Sequence, residues 1–283
     1  MSPEQIDSFA RLYAVGNAKL NTRRWKTFLS GFSWGRHGLP WALPLLLVFI
    51  WEISSRAGWL PSRVLPEPAA VLDAAWRLSE SGELWGHVKT SSWRAFSGFL
   101  LGGGSGLLLG ALTGASRKAD LLLDTSVQMV RNIPPLALIP LVIIWFGIDE
   151  GAKLFLIAFG VFFALYVNTY HGIRSVDAGL VEMGRSYGLR GWALYRDVIL
   201  PGALPSVLVG VRYGLGLMWV ILIVAETISA REGIGYMTMN AREFLQTDVV
   251  LLGILLYALL GKLADVLARY LEHSLLPWKN ASH

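Results

Sequence analysis

Seven ionisable residues stand inside or at the ends of long apolar runs: Glu52, Arg94, Arg131, Arg212, Glu226, Lys262 and Asp265. A charge placed in hydrocarbon is expensive, so each must be neutralised, reach the interface or line a path. Lys262 and Asp265 are three residues apart and neutralise each other on a helix. Glu52 and Arg94 lie near the ends of their runs, where Glu52 reaches the interface and Arg94 snorkels to it. Arg131, Arg212 and Glu226 are harder to dismiss: Arg212 lies two turns into its run, and Glu226 near the outer end of the same run. Arg131-Asn132 precedes Pro134-Pro135, where a helix cannot keep its regular hydrogen bonding. Irregular backbone at membrane depth survives only inside protein or beside a water-filled path. Guanidinium and amide groups match an anion with several oxygens. The chemistry these residues offer is non-covalent: guidance of an anion, or ion pairs and gate latches.

Covalent chemistry finds no support. No G-x-x-x-x-G-K-S/T occurs, because Gly261-Lys262 is followed by Leu263, so the chain supplies no P-loop of its own. No G-x-S-x-G elbow is present. His37, His87, His171, His273 and His283 are scattered without metal-ligand spacing. The chain has no cysteine, which excludes a disulfide, a thiolate metal site and a thiol nucleophile. The sequence reads as a non-enzyme.

The elements that must hold these residues are membrane helices. Only 16% of the 283 residues are charged and 54% are hydrophobic, against about a quarter charged in soluble domains; the mean hydropathy is +0.49. Runs of about 20 apolar residues cross a bilayer as helices. They fall at Leu39–Ala57, Trp93–Leu112, Ile133–Ile148, Ala152–Tyr170, Pro205–Ile228 and Val249–Tyr270, giving an all-α polytopic chain of about six spans. The third is short: either it extends back through Leu121–Val130, or that part lies along the interface. Between spans, Pro66–Ser91 reads as one amphipathic helix, with Val71, Leu72, Ala75, Trp76 and Leu78 alternating with Asp73, Arg77 and Glu80.

Residues 1–38 read as a polar cytoplasmic extension, with a basic stretch at Asn21–Lys26 that suits anionic headgroups and no cleavable-signal pattern. Residues 39–275 form the transmembrane domain and 276–283 a tail. Alternate loops, with both termini, carry 14 Lys and Arg against 7 in the opposite set, which places both termini and the loop at about 177–204 in the cytoplasm.

Gly98, Gly102, Gly106, Gly110 and Gly114 recur every fourth residue along the second span. Close backbone approach through small residues replaces the hydrophobic drive that lipid does not supply, so this ridge is a packing seam, within the subunit or between two subunits. The loop at 177–204 is too polar to cross. It reads as a helix over Val181–Tyr187, a break at Gly188 and a short helix over Trp192–Ile199, with Pro201 opening the next element. Such a helix–turn–helix suits a docking knob for a soluble partner.

Glu182, Gly188 and the Leu200-Pro201 pair resemble, at these spacings, the loop of ABC-importer permeases that receives the ATP-hydrolysing subunit. The family pattern has two alanines after the glutamate and usually isoleucine two residues before the leucine; here stand Met183, Gly184 and Val198. Residues 131–147, 179–189, 198–206, 222–229 and 239–250 are similar to the permease of the aliphatic-sulfonate importer, in the branch that handles sulfonates, taurine, nitrate and related small anions. The resemblance covers roughly residues 40–275. It implies a type I importer permease fold in a bacterial inner membrane. It also implies a homodimer, two cytoplasmic ATP-binding subunits and a periplasmic binding protein. ATP and magnesium would be bound by the partner and no cofactor by this chain. Glu182, Gly184, Gly188, Trp192, Val198, Leu200 and Pro201 would couple to the ATPase. Arg131, Asn132, Arg212 and Glu226 stand as candidates for the substrate path or its gates. Import of taurine, nitrate or another small anion is the alternative. A secondary transporter would have no use for the docking loop and would show an inverted repeat.

Overall fold

The computed structural model describes residues 34–59, 61 and 64–276. Most of the expected N-terminal extension, with its basic stretch, and residues 277–283 of the expected tail lie outside the described residues. Among the described residues all regular structure is helical. The chain divides into two units, with the boundary between Leu60 and Pro61. The first unit holds α1 (Trp34–Arg56), 23 residues and therefore about 34 Å long. Glu52, expected to reach the interface, pairs there with Arg56 at 2.6 Å, one turn further on.

The second unit begins with α2 (Pro68–Glu80) and α3 (Glu83–Ala115). The single amphipathic helix expected over Pro66–Ser91 is instead broken at Ser81-Gly82, and its last third is the start of the long span α3. On α2 the buried positions are Val71 and Ala74, while Leu72 and Trp76 are exposed. Arg77 reaches Asp248 across the sequence at 3.0 Å and ties α2 to the last helix, α10 (Thr247–Leu275).

The third span is a broken one. α4 (Arg117–Arg131) and α5 (Pro135–Phe146) meet at 82°, because Pro134 and Pro135 cannot donate to the preceding turn. The Asn132 side chain donates to the carbonyl of Gln128 at 3.1 Å, one of the orphan acceptors at the end of α4. α6 (Glu150–Arg174), α7 (Ala178–Ser186), α8 (Gly191–Ile228) and α9 (Ile234–Glu243) complete the order. α8 is longer than the sequence implied. Pro201 and Pro205 do not end it; a π-helical turn at Tyr195–Ile199 carries the chain from the knob directly into the span. Proline inside a membrane helix is tolerated where neighbouring groups satisfy the freed carbonyl. Four helices (α3, α6, α8, α10) are long and apolar enough to cross a membrane, and the bent pair α4–α5 makes up to five; α1 has the length for a sixth.

α6 is the centre. Half of the apolar window of α6 and of α8 is buried, against 33% in α3 and 28% in α10, so α6 and α8 lie inside while the other two present more surface to lipid. The glycine ridge of α3 lies against α6. A Cβ at Gly102 would sit 2.1 Å from the Ala158 carbonyl oxygen, one at Gly106 2.3 Å from that of Phe162, and one at Gly110 2.6 Å from that of Tyr166. Gly98 and Gly114 face Ile157 and Ile173. The seam is therefore within one subunit. On its other side α6 meets α8 through a second small-residue seam, where Gly160 faces Ile221, Gly172 faces Ser206, and Gly210 and Gly214 face Asn168 and Leu165.

A third row on α6 fixes α4. Tyr166 and Tyr170, stacked 6.1 Å apart, donate to Asp124 (2.9 Å) and Asp120 (2.8 Å), and Arg174 pairs with Asp120 at 2.8 Å. Both pairs are four residues apart, so one helix face reads the other.

Gly104 has nothing within 4 Å of its would-be side chain, which makes it the internal control for the seam. Gly106→Leu is expected to abolish the assembled permease in detergent, while Gly104→Leu, on the same helix, leaves yield and monodispersity unchanged. Size-exclusion chromatography after membrane extraction checks both. Equal behaviour of the two variants would show that the ridge does not hold the fold.

Candidate functional site

The expected docking knob is built from α7 and the first turns of α8. Asp177 caps α7, accepting from the backbone N–H of Gly179 at 2.6 Å and of Leu180 at 3.2 Å. At its far end, Leu189 N–H donates to Gly184 O and Gly188 N–H to Arg185 O, the paired bonds of a Schellman ending. Gly188 has φ 87°, the left-handed region where a Cβ is costly. Gly184 is the buried hinge of the knob: a Cβ there would stand 2.9 Å from Leu194 and 3.0 Å from Val198. Gly184 and Leu194 are buried and Val198 is half-buried, so they hold the two arms together.

Glu182, Met183, Tyr187 and Trp192 face outward, with Tyr187 81% and Trp192 71% exposed. Trp192 stacks on Tyr195 at 5.7 Å. Leu200 is exposed and Pro201 stands in the first turn of the α-helical part of α8, after the π turn. The expected coupling residues thus divide into a packing set, Gly184 and Val198, and an outward set, Glu182 and Trp192. Tyr187 and Met183 join the outward set; Met183 was legible only as a departure from the family pattern, and an exposed aromatic next to a glycine break is the signal that could have found Tyr187.

At the other end of α8 the structure gathers residues that the sequence kept apart. Glu226 is 1% exposed and its carboxylate accepts from Arg94 Nη1 (2.8 Å), Ser91 Oγ (2.8 Å), Gly235 N–H (2.9 Å) and Tyr257 Oη (3.0 Å). Arg94 does not snorkel. It is 3% exposed because α3 begins eleven residues before it, and its other nitrogens grip Glu150 at 2.6 Å each. Lys153, equally buried, pairs with Glu150 at 3.1 Å. Gly233 leaves room for this cluster, since a Cβ there would fall 2.4 Å from Glu226 Oε1. One carboxylate therefore pins four elements, α3, α8, α9 and α10, with every bond charge-assisted. A cavity of about 620 Å³ adjoins it, lined by Arg94, Lys153 and Arg231 and by Asp149, Glu150 and Glu232.

Arg212 faces α10, where it donates to Asp265 at 2.8 Å. Arg269 holds the same carboxylate at 2.8 Å, and Lys262 stands further off at 3.7 Å. The expected Lys262–Asp265 pair is thus the weakest of three contacts. Arg131 is different: it has no ion-pair partner among the described residues. It lines a cleft of about 370 Å³ with Ile133, Phe163, Asn168, Tyr213 and Leu217 among its walls. Asn132, expected beside it, is occupied in capping α4.

Residues 106–276 match the family model described as the binding-protein-dependent transport system inner membrane component. The chain is 62% identical over 244 residues to the protein assigned as the aliphatic sulfonates transport permease SsuC of Escherichia coli (strain K12), covering 86% of this chain and 93% of that one. It is 46% identical over 239 residues to the protein so assigned in Bacillus subtilis (strain 168), covering 84% and 87%. To the taurine transport system permease protein TauC of Escherichia coli (strain K12) it is 35% identical over 269 residues, covering 93% and 96%.

Removing one partner of a buried ion pair costs about 3–5 kcal/mol, because the other charge is left without compensation. Glu226→Ala is expected to lower the melting temperature of the purified protein and its membrane yield. Arg212→Gln, at a half-exposed pair, is expected to change both far less. A thermal melt followed by tryptophan fluorescence checks the order. An unperturbed Glu226→Ala would show that the cluster does not hold the four elements together.

Proposed function

The chain belongs to the binding-protein-dependent transport system inner membrane components, and from that premise we propose that it carries aliphatic sulfonates through the inner membrane of a bacterium. It is a permease subunit of an ATP-driven ABC importer and not an enzyme; its partners are ATP-binding and substrate-binding proteins. The observation that carries the sulfonate assignment is the high identity to a sulfonate permease across nearly that protein's whole length. The taurine permease is a more distant relative, and taurine, itself a small sulfonate, is the second reading.

In this reading two copies of the chain pair, each with one cytoplasmic ATP-binding subunit, and a periplasmic binding protein delivers the anion. Both termini and the knob face the cytoplasm, as the Lys and Arg distribution favours. The outward set Glu182, Met183, Tyr187 and Trp192 is the grip for the ATP-binding subunit: a carboxylate for orientation, apolar and aromatic surface for affinity.

The geometry supports a lever. The knob is held at one end by α6 and at the other by α8, and those two helices are packed together through small residues. α8 runs without interruption for 38 residues, about 57 Å, from the knob to Glu226. When ATP draws the two ATP-binding subunits together, a displaced knob carries α6 and α8 with it. The Arg212–Asp265 pair and the Glu226 cluster then serve as latches between α8 and its neighbours, made and broken as access alternates. Arg131 at the α4–α5 break is the cation left for the path.

The test is growth with hexanesulfonate as sole sulfur source, in a strain lacking its own permease. Glu182→Ala and Gly188→Val are expected to reach normal membrane abundance, to retain less ATP-binding subunit on purification, and to slow growth at least severalfold. Valine at a positive φ costs about 1–2 kcal/mol locally, enough to distort the grip without unfolding the spans. Wild-type growth and wild-type retention by both variants would remove the docking role.

A further inference from the structure

The cleft at Arg131 differs in its charge balance from three other cavities among the described residues. The cavity of about 620 Å³ sets three cations against three carboxylates, with Glu226 behind them. A second, of about 530 Å³, is lined by Arg212 together with Asp265, the carboxylate it pairs with. A third, of about 390 Å³, is lined by Trp219, Ile223, Ile254, Tyr257 and other uncharged residues. The cleft at Arg131 has one cation, no carboxylate and otherwise uncharged walls. Its volume falls within the usual range for small-molecule sites.

Its lining carries three polar side chains, Arg131, Asn168 and Tyr213, of which the first and last are exposed. Asn168 donates one amide hydrogen to the Ala164 carbonyl at 2.8 Å, which leaves its second amide hydrogen to offer. Its Cβ lies where Gly210 gives way, 2.7 Å from the position a Cβ there would take, so it is fixed between α6 and α8. The Tyr213 hydroxyl has no protein partner among the described residues and is a further donor. Together these residues offer a sulfonate three charge-assisted bonds, one from a cation and two from neutral donors. Away from them the walls are apolar: Ile133, Phe163 and Leu217. The floor is Gly160, against which Pro135 and Ile221 close.

We infer that this cleft is the membrane-embedded subsite for the transported anion, binding the sulfonate head at Arg131, Asn168 and Tyr213 and the alkyl tail along Ile133, Phe163 and Leu217. The inference rests on the sulfonate reading and deepens it. It also assigns specificity: the head group selects a strong oxyanion, and the tail wall rewards chain length by roughly 0.8 kcal/mol for each methylene buried. A single uncompensated cation holds the anion without trapping it. Because the cleft includes the Pro134-Pro135 break and the flank of α8, displacement of α8 by the lever reshapes it.

The experiment uses the permease purified with its ATP-binding subunits in lipid nanodiscs. It measures equilibrium binding of radiolabelled hexanesulfonate and ethanesulfonate without binding protein, and ATP-driven uptake of both by liposomes with it. Arg131→Gln is expected to weaken binding of both anions about tenfold or more, Arg131→Lys to lose less, and Tyr213→Phe to lose severalfold. Leu217→Trp is expected to cut the preference for hexanesulfonate over ethanesulfonate at least about tenfold while sparing ethanesulfonate. Leu217→Ala lowers the same ratio by removing contact, and serves if the larger residue prevents assembly. Wild-type affinities in Arg131→Gln together with an unchanged chain-length ratio in either Leu217 variant would overturn the cleft assignment. Absence of any alkanesulfonate uptake by the wild-type complex would overturn the sulfonate reading and this subsite with it.

Discussion

A helix in lipid gains nothing by leaving the hydrocarbon for another apolar helix, so helices associate through close packing and polar bonds. In this chain that constraint falls on α6. Backbone meets backbone along the glycine ridge of α3 on one side, and small residues of α6 and α8 admit each other on the other. The same helix holds α4 through two tyrosine–aspartate bonds. Three features are mounted on this core: the knob at its C-terminal end, the Arg131 cleft beside its middle, and the Glu150–Arg94–Glu226 cluster at its N-terminal end.

Polar groups are placed where helices must be told apart. Glu226 satisfies donors from α3, α9 and α10, and in doing so fixes the loop through Gly233, whose missing side chain makes the space. Arg212 and Arg269 share Asp265 at the opposite half of α10. Between these two anchors α8 and α10 are largely apolar, with cavities along their boundary. A buried network of this kind specifies one arrangement while satisfied and resists rearrangement of its members one at a time. That property suits a protein which must occupy two discrete arrangements and not a continuum between them.

Much of this was legible in the sequence. The i,i+4 glycines announced a seam because a helix brings every fourth residue to one face, yet their partner was not readable: Ala158 and Phe162 offer their backbones, and a backbone has no sequence signature. The knob could be read from Gly188 and the charged residues around it, since a left-handed helix ending has a residue preference. Its continuity with α8 could not, because Pro201 and Pro205 are the usual marks of an ending, and a π turn absorbs the mismatch here. Arg94 and Glu226 are 132 residues apart, and nothing local shows that one neutralises the other. Arg94 lay near the edge of an apolar run, and the true helix begins well before that run. The free cation at Arg131 stood out only after its competitors, Arg94 and Arg212, had been paired. The lining of its cleft comes from three separate segments.

If the chain is the path through which ATP hydrolysis by a partner moves an alkanesulfonate, transport must depend on the binding protein, on ATP and on the sulfonate together. The direct measurement is uptake of radiolabelled hexanesulfonate by liposomes containing the purified permease and its ATP-binding subunits, with the binding protein outside and ATP enclosed. The expected result is uptake that requires both the binding protein and hydrolysable ATP and is blocked by excess unlabelled sulfonate. Uptake at the same rate without ATP, or ATP-driven uptake indifferent to added sulfonate, would contradict it.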